Sequence, residues 1–446
     1  MKTKRFGLKS FLSRGGLAAI LLVFLLTSAC DSLPVEIQLP WINTPVPSKE
    51  VEPLPDVDAT VTPGAPEPEP TLTVETSVDE LILWLPQELS PQEDNPAAQL
   101  LQEKLDAFAQ ENQLKITVRV KARTGSGSLI DALTATKPAA PEILPDLIIL
   151  SSTDLMLAAD RELIYPHTRM TEMMNGTDWY PFGRELGKVD NEVLAIPLLS
   201  NPLSLVFNET TLLPPSNDWL EIKQNFGIFG FAADDSQAKY LLLLYIAAGG
   251  EVMDLQGRAI LQEAPLVEAL TALKEGLTTL HINTLSIGFQ TEEQVWNAFA
   301  TRSLDTAVVP VGMVLNRKGG VENQPKPALT EPEITLGTAF GWALGNPDTA
   351  RQELALNLLT ALSETEFLAN WTEALGRLPA RPSALGAWKD QKLQPALEKI
   401  AHATRLYPPE EIMNRLGPAL RNATLLILRD GADPTETAKT TIESIK

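Results

Sequence analysis

The chain has 446 residues, 57 acidic against 36 basic side chains and a formal net charge of −21, with one cysteine. No lysine- or arginine-rich run appears after the basic start, which argues against nucleic acid as a partner. A single cysteine excludes an intramolecular disulfide, and 44% hydrophobic residues suffice for a packed globule of ordinary kind.

Lys2, Lys4, Arg5, Lys9 and Arg14 precede an apolar run over residues 17–26, followed by Thr27, Ser28, Ala29 and Cys30. A basic start, a short apolar stretch and a small-residue cleavage site make an export signal over 1–29, too short for a comfortable membrane span. The Leu26-Thr-Ser-Ala-Cys30 stretch resembles a bacterial lipobox, whose cysteine becomes the acylated new N-terminus; Thr27 stands where an aliphatic residue is commoner. The competing reading is an ordinary secretory signal with an incidental cysteine. The lipobox reading places the mature protein outside the cytoplasmic membrane, tethered by a lipid on Cys30. Residues 31–80 hold ten prolines and eleven acids against Lys49, so that stretch supplies −10 of the net charge. Pro45-Val-Pro47 and Pro66-Glu-Pro-Glu-Pro70 favour extended polyproline geometry and offer no apolar face, which predicts a disordered tether over 30–77.

Globular signals begin at Leu81-Ile-Leu-Trp-Leu85, an apolar run stopped by Pro86 that suits a strand buried on both faces. Asn95 and Pro96 then have the character of a helix cap and first turn, with Leu101, Leu105 and Phe108 at helical spacing. Ile116, Val118 and Val120 alternate with polar residues as a strand does. A Gly125-Ser-Gly-Ser128 turn leads into a short helix, and Asp146-Leu-Ile-Ile-Leu150 predicts a third strand, ending at Ser151. Strands alternating with helices imply a parallel sheet wrapped by helices. The run over 241–248 predicts a buried helix. Thr291 with Gln294 and Ser363 with Glu366 have capping-box spacing, and Pro347-Asp348 precedes a helix over 349–362.

Ligands of such sheets bind beyond the carboxyl ends of the strands. That points to Trp84 and Gln87 after the first strand, Ser126 and Ser128 in the turn, and Ser151 and Ser152 after the third strand. Each has a structural alternative: Trp84 as core, the serines as helix caps or a solvated turn.

Later segments resemble the bacterial extracellular solute-binding proteins of family 1, the maltose-binding type. The resemblance rests on Pro145-Asp146-Leu-Ile-Ile, on Asp190-Asn-Glu-Val-Leu-Ala-Ile-Pro197 followed by Asn201 to Leu212, and on Ala247-Ala-Gly-Gly-Glu251. It continues through Pro265 to Leu270, Trp296-Asn-Ala-Phe299 with Asp305-Thr-Ala-Val-Val, Gly341-Trp342 and Leu375-Gly-Arg-Leu-Pro-Ala-Arg381, in order from about Leu81 to the C-terminus. Phe207 replaces the usual tyrosine, Ala195 the usual glycine, and Asn201 stands where the maltose binder has an acidic contact. The resemblance implies a two-lobed α/β fold of the periplasmic-binding type, each lobe a mostly parallel sheet with helices, and a ligand cleft between lobes. It places 78–199 and 309–370 in the first lobe and 200–308 and 371–446 in the second. Asn201, Met313, Trp342 and Arg381 are the further cleft candidates, with core packing the alternative for Met313 and a bridge between lobes that for Arg381; Trp219, Trp371 and Trp388 sit among helix-like segments and, like Trp296, read as packing.

His167, His281 and His402 are isolated, and no zinc, nucleophile-elbow or phosphate-loop motif occurs. The acid pairs Asp234-Asp235 and Glu410-Glu411 read as solvated. The expectation is a binding protein and not an enzyme, without metal or cofactor, monomeric. It would capture a saccharide or polyol and deliver it to the permease subunits of an ABC importer. The alternative is a ligand-sensing receptor or scaffold lipoprotein.

Overall fold

The chain divides into two units, Met1–Thr73 and Val74–Lys446. The computed structural model describes residues 78–221, 227–279, 281–316 and 325–446, all within the second unit; the export signal, Cys30 and the tether to residue 77 lie outside the described residues. No described helix is long and apolar enough to cross a membrane.

The first strands form as the sequence predicts. β1 (Glu80–Pro86) buries every residue from Leu81 to Pro86, and the helix Pro96–Glu111 starts where the Asn95 side chain accepts the Ala98 N–H at 2.9 Å. β2 (Lys115–Lys121) and β3 (Leu147–Ser151) flank β1 in parallel, joined through the helix Leu129–Ala139. A small hairpin of β4 (Lys188–Val189) and β5 (Glu192–Val193) precedes β6 (Ile196–Asn208), the longest strand. The remainder are β7 (Phe229–Gly230), β8 (Thr306–Pro310), β9 (Pro327–Leu329), β10 (Thr335–Leu344), β11 (Leu378–Pro379) and β12 (Thr404–Leu406).

One sheet runs β2-β1-β3-β10-β6-β8-β7, with β9 and β11 added to β6 and β12 to β10. It is mixed rather than mostly parallel, because β10 runs antiparallel to both β3 and β6, and β6 antiparallel to β8. The apolar core beneath it is split in two. Leu198 and Leu199 of β6 pack in the first cluster and Leu203 and Leu205 in the second; β10 places Leu336 in the second and Phe340 and Trp342 in the first. Val206 of β6 belongs to the first cluster again, together with Val295, Phe299 and Val309, so both strands are shared between the clusters and link them. The second core gathers the buried helix Lys239–Ala247, Glu263–Thr278, the long Glu410–Asp430 and Pro434–Ser444.

Residues from 371 to 403, expected in the second lobe, bury Trp371, Leu385, Trp388, Leu397 and Ile400 in the first cluster, and β11 pairs with β6 at Leu199 and Ser200. The capping box at Thr291 and Gln294 forms, but the one at Ser363 does not. Ser363 caps the C-terminus of the helix Thr349–Leu362, Glu364 precedes the next helix, and the Ser363 carbonyl accepts from Arg381.

A buried ion pair locks the first lobe. Asp146, its side chain fully inaccessible, accepts both Nε and Nη2 of Arg351 at 2.7 Å and the Ile82 N–H at 2.7 Å; Arg351 also donates to the Glu80 carbonyl. The pair ties the starts of β1 and β3 to the helix Thr349–Leu362. Removing one partner strands a buried charge, which typically costs about 3–5 kcal/mol. Arg351→Met is therefore expected to lower unfolding stability by that order in urea melts. A loss under about 1 kcal/mol would show the pair to be dispensable.

Candidate ligand cleft

Where the chain passes between lobes it leaves a cavity of about 600 Å³ lined from both, within the size range of small-molecule sites. First-lobe walls come from the carboxyl ends of β2 and β3: Arg123, Thr124 and Gly125, then Ser128 and Asp131, then Ser152, Thr153 and Asp154. The second lobe supplies Gln237, Lys239, Tyr407, Glu410 and Met413, and Thr338 of β10 contributes from the crossing strand. Four helices begin at this cavity, at Leu129, Ser152, Lys239 and Glu410. A helix N-terminus carries partial positive charge and unsatisfied N–H groups; three of the four are met by a side-chain oxygen, and the one at Glu410 has no side-chain cap. The Ser128 hydroxyl accepts the Asp131 N–H, and Ser151 accepts that of Asp154 at 3.2 Å. Asp235 accepts the N–H groups of Gln237 and Lys239. Asp131, Asp154 and Glu410 add carboxylates in the first turns.

Asp154 is the most enclosed acid of the lining, 8% exposed, with Ser151 Oγ donating to its Oδ2 at 2.7 Å. Burial pushes its carboxyl above the usual range despite that bond and the Arg123 charge, and Glu410 adds to the rise from the other lobe. Arg123 pairs with Glu88 at 2.9 Å and lies over the Phe340 ring. Lys239 pairs with Glu292 at 2.6 Å. Burial, with Glu292 and Asp235 nearby, keeps the Tyr407 hydroxyl protonated as a donor. Ala238, at φ +47°, turns the chain into the Lys239 helix through a left-handed conformation unfavourable for alanine. Ser152 Oγ is buried without a hydrogen-bond partner among the described residues. An unsatisfied hydroxyl facing a cavity is a natural point for a polar ligand atom.

Of the residues singled out from sequence, Ser152 lines the cavity and Ser151 stands behind it as the cap of Asp154. Ser126 is exposed in the turn between Gly125 and Gly127, both at positive φ. Trp84 and Trp342 are each 1% exposed and belong to the first core. They also point to opposite faces of the sheet, since Trp84 pairs with Ile148 and Trp342 with the next residue, Ile149. Asn201 opposes Thr338 across β6 and β10, so it shares the cleft-facing side, where its Oδ1 accepts the Gly312 N–H at 2.9 Å. Met313 is half-buried against the first core. Arg381 is fully engaged elsewhere: it pairs with Asp178 at 2.8 Å, donates to the Ser363 carbonyl at 2.7 Å and covers Trp179. Trp219, Trp371 and Trp388 are buried, as expected, and Trp296 packs half-buried against Phe299.

Sequence reasoning missed Arg123, Asp154, Lys239, Thr338, Tyr407 and Glu410. The pairs read as solvated acids have specific roles: Asp234 binds Arg421, Asp235 caps the Lys239 helix, and Glu410 faces the cleft. Pro408-Pro409 before Glu410 was the available hint of a helix start there. Among the described residues no cluster of histidine and acidic ligands suits a metal ion.

The rise at Asp154 has a consequence for stability. The folded chain holds that proton more tightly than the unfolded chain, so the contribution favours folding below the ordinary carboxylate pKa and is lost as pH rises through the raised value. Asp154→Asn is thus expected to melt higher than the parent at pH 7, with the gap closing below about pH 4. A gap that persists unchanged at low pH would refute a titrating Asp154.

Residues 104–396 match the model of the bacterial extracellular solute-binding protein family. Similar solved structures include a cyclo/maltodextrin-binding protein complexed with maltotetraose, 15% identical with a TM-score of 0.65 over 83% of this chain and 97% of that one. An extracellular solute-binding protein of Staphylococcus aureus in complex with maltose is 14% identical, with a TM-score of 0.64 over 83% and 97%. The cyclic alpha-maltosyl-1,6-maltose binding protein of Arthrobacter globiformis is 16% identical, with a TM-score of 0.62 over 83% and 98%. No curated protein matches the sequence. At these identities the structures share the two-lobed fold, and the family match decides membership: the chain belongs to the bacterial extracellular solute-binding proteins.

Proposed function

We propose that this protein is the lipid-anchored, extracytoplasmic solute-binding component of an ABC importer, which encloses a carbohydrate or related polyol between its lobes and hands it to permease subunits. The observation that carries the reading is the cavity of about 600 Å³ walled by both lobes and floored by a crossing strand. Its hydroxyls, carboxylates and protonated amine and guanidinium groups supply the mixed donors and acceptors that a polyol requires. The fold neighbours' saccharide complexes support the same ligand class. We take the first lobe as residues 78–199 with 309–403 and the second as 200–308 with 404–446. Hinge movement of one about the other through β6 and β10 would then enclose the ligand. The lipobox-like stretch ending at Cys30 and the acidic proline-rich tether support anchoring at the membrane surface. Nothing in the family or the cleft calls for an enzyme, and a monomer suffices.

A thermal-shift panel of mono- and oligosaccharides, polyols, amino acids, polyamines and metal ions tests the ligand class. A ligand at 100 times its Kd adds about 2.7 kcal/mol of stability. A saccharide or polyol hit supports the importer reading; a hit confined to amino acids, polyamines or metals, or none, overturns it in favour of a sensor or scaffold role. With the ligand in hand, Ser152→Val and Thr338→Val are expected to weaken binding about tenfold each, the worth of one hydrogen bond to a buried partner. Trp342→Ala is expected to act instead by lowering stability, by about 3–5 kcal/mol as for other buried aromatics. Unchanged affinity in both polar variants would remove this cavity as the binding site.

A further inference from the structure

By count the cleft lining is neutral, with Asp131, Asp154 and Glu410 against Arg123, Arg161 and Lys239. Pairing separates the two sets. Arg123 is held by Glu88 at 2.9 Å, and Lys239 by Glu292 at 2.6 Å with Asp235 a second neighbour at 3.9 Å. Arg161 has no acid partner among the described residues and donates only to the Thr134 hydroxyl, at 3.5 Å. It is exposed and follows the far end of the helix Ser152–Asp160, about 10 Å along the axis from Asp154. None of the three acids forms an ion pair among the described residues. Arg161 can answer one of them, so at least two carboxylates of the cleft lack a countercharge. The helix N-termini behind them supply about half an elementary charge each, short of a full one.

Burial makes Asp154 the costly member of the set. It is 8% exposed, and burial raises its carboxyl above the usual range; the field of Glu410, from the other lobe, adds to the rise against the pull of Ser151 and Arg123. Two residues earlier, in the same first turn, Ser152 keeps a hydroxyl that is buried and bonded to no described residue. That hydroxyl is independent of the acids and also asks for a ligand atom, since a buried polar group left unmatched is destabilising. Two carboxylates facing each other from different lobes set a further condition on closure. Drawing them together around a neutral ligand works against like-charge repulsion, whereas a positive group between them turns the same fields to attraction. An ammonium has three N–H donors, one for each of Asp154, Glu410 and Ser152.

We propose that the ligand carries an amine, so that the ammonium group of an amino sugar or amino polyol sits between Asp154 and Glu410 with Ser152 beside it. This rests on the carbohydrate reading above and narrows it to cationic saccharides and polyols.

Calorimetric titration with D-glucosamine, N-acetyl-D-glucosamine and D-glucose, at a pH where the free amine is protonated, tests one ring with three substituents. Glucosamine is expected to bind about tenfold more tightly than either neutral sugar, and less tightly as salt is raised. Asp154→Asn is expected to lose about tenfold to a hundredfold in affinity for glucosamine, the worth of a hydrogen bond to a charged group. Glu410→Gln is expected to lose about threefold to fivefold, because Glu410 is exposed. That exposure also means the second variant folds whatever becomes of the first, and melting curves report on both. A neutral sugar bound as tightly as glucosamine, or either folded variant holding glucosamine undiminished, overturns the inference and leaves the carbohydrate reading intact. Spermidine, which carries amines without a sugar ring, separates the two sources of the charge. Spermidine bound with no saccharide or polyol, or nothing bound in this set and the wider panel, overturns both readings.

Discussion

The pairing of β6 with β10 is the constraint on which the architecture depends. Both strands contribute to both apolar clusters. They pair with each other, antiparallel, from Gly337 opposite Pro202 to Trp342 opposite Ile196, with one bulge between Phe340 and Gly341, and their other edges pair with β3 and β12 on β10 and with β8, β9 and β11 on β6. Close approach is enforced at Gly337, where a Cβ would stand 2.8 Å from the Pro202 Cα. Unpaired buried N–H and C=O groups are expensive, so this ladder is costly to break. It also fixes what floors the cleft: Thr338 and Asn201 share a side because they are partners in register.

The walls follow from a second rule, that strands deliver their following helices with N-termini towards the carboxyl edge. Four helix starts meet at one cavity, and the chain manages that convergence internally, with serine caps, Asp235 at the Lys239 helix and acids in the first turns. The result is a polar wall balanced in charge for most of its extent. Arg161, also in the wall, has no acid partner among the described residues and donates only to the Thr134 hydroxyl at 3.5 Å.

Local segments were legible wherever a single element decided the outcome. Asn95 and Pro96 started a helix, Asp348 capped the helix Thr349–Leu362, and Thr291 with Gln294 made its reciprocal cap, since those contacts lie within four residues. Ser363 shows where locality fails. Its spacing to Glu366 matched a capping box, yet it became the end of one helix because its carbonyl is held by Arg381, a partner 18 residues away. The same long-range bond removed Arg381 from the cleft. Trp84 and Trp342 failed as cleft residues for a related reason: alternation along a strand is readable, but which face meets solvent is set by the helices packed on it.

Taken alone, the sequence determined the acidic balance, the α/β alternation and the order of family-like segments, all readable from composition and short windows. Tertiary structure alone decided which side chains meet across the cleft. Asp154 and Glu410 lie 256 positions apart by their numbers, and Thr338 and Asn201 are joined only by register. No local pattern encodes such proximities, because they arise when β6 and β10 fold the chain back between its two cores.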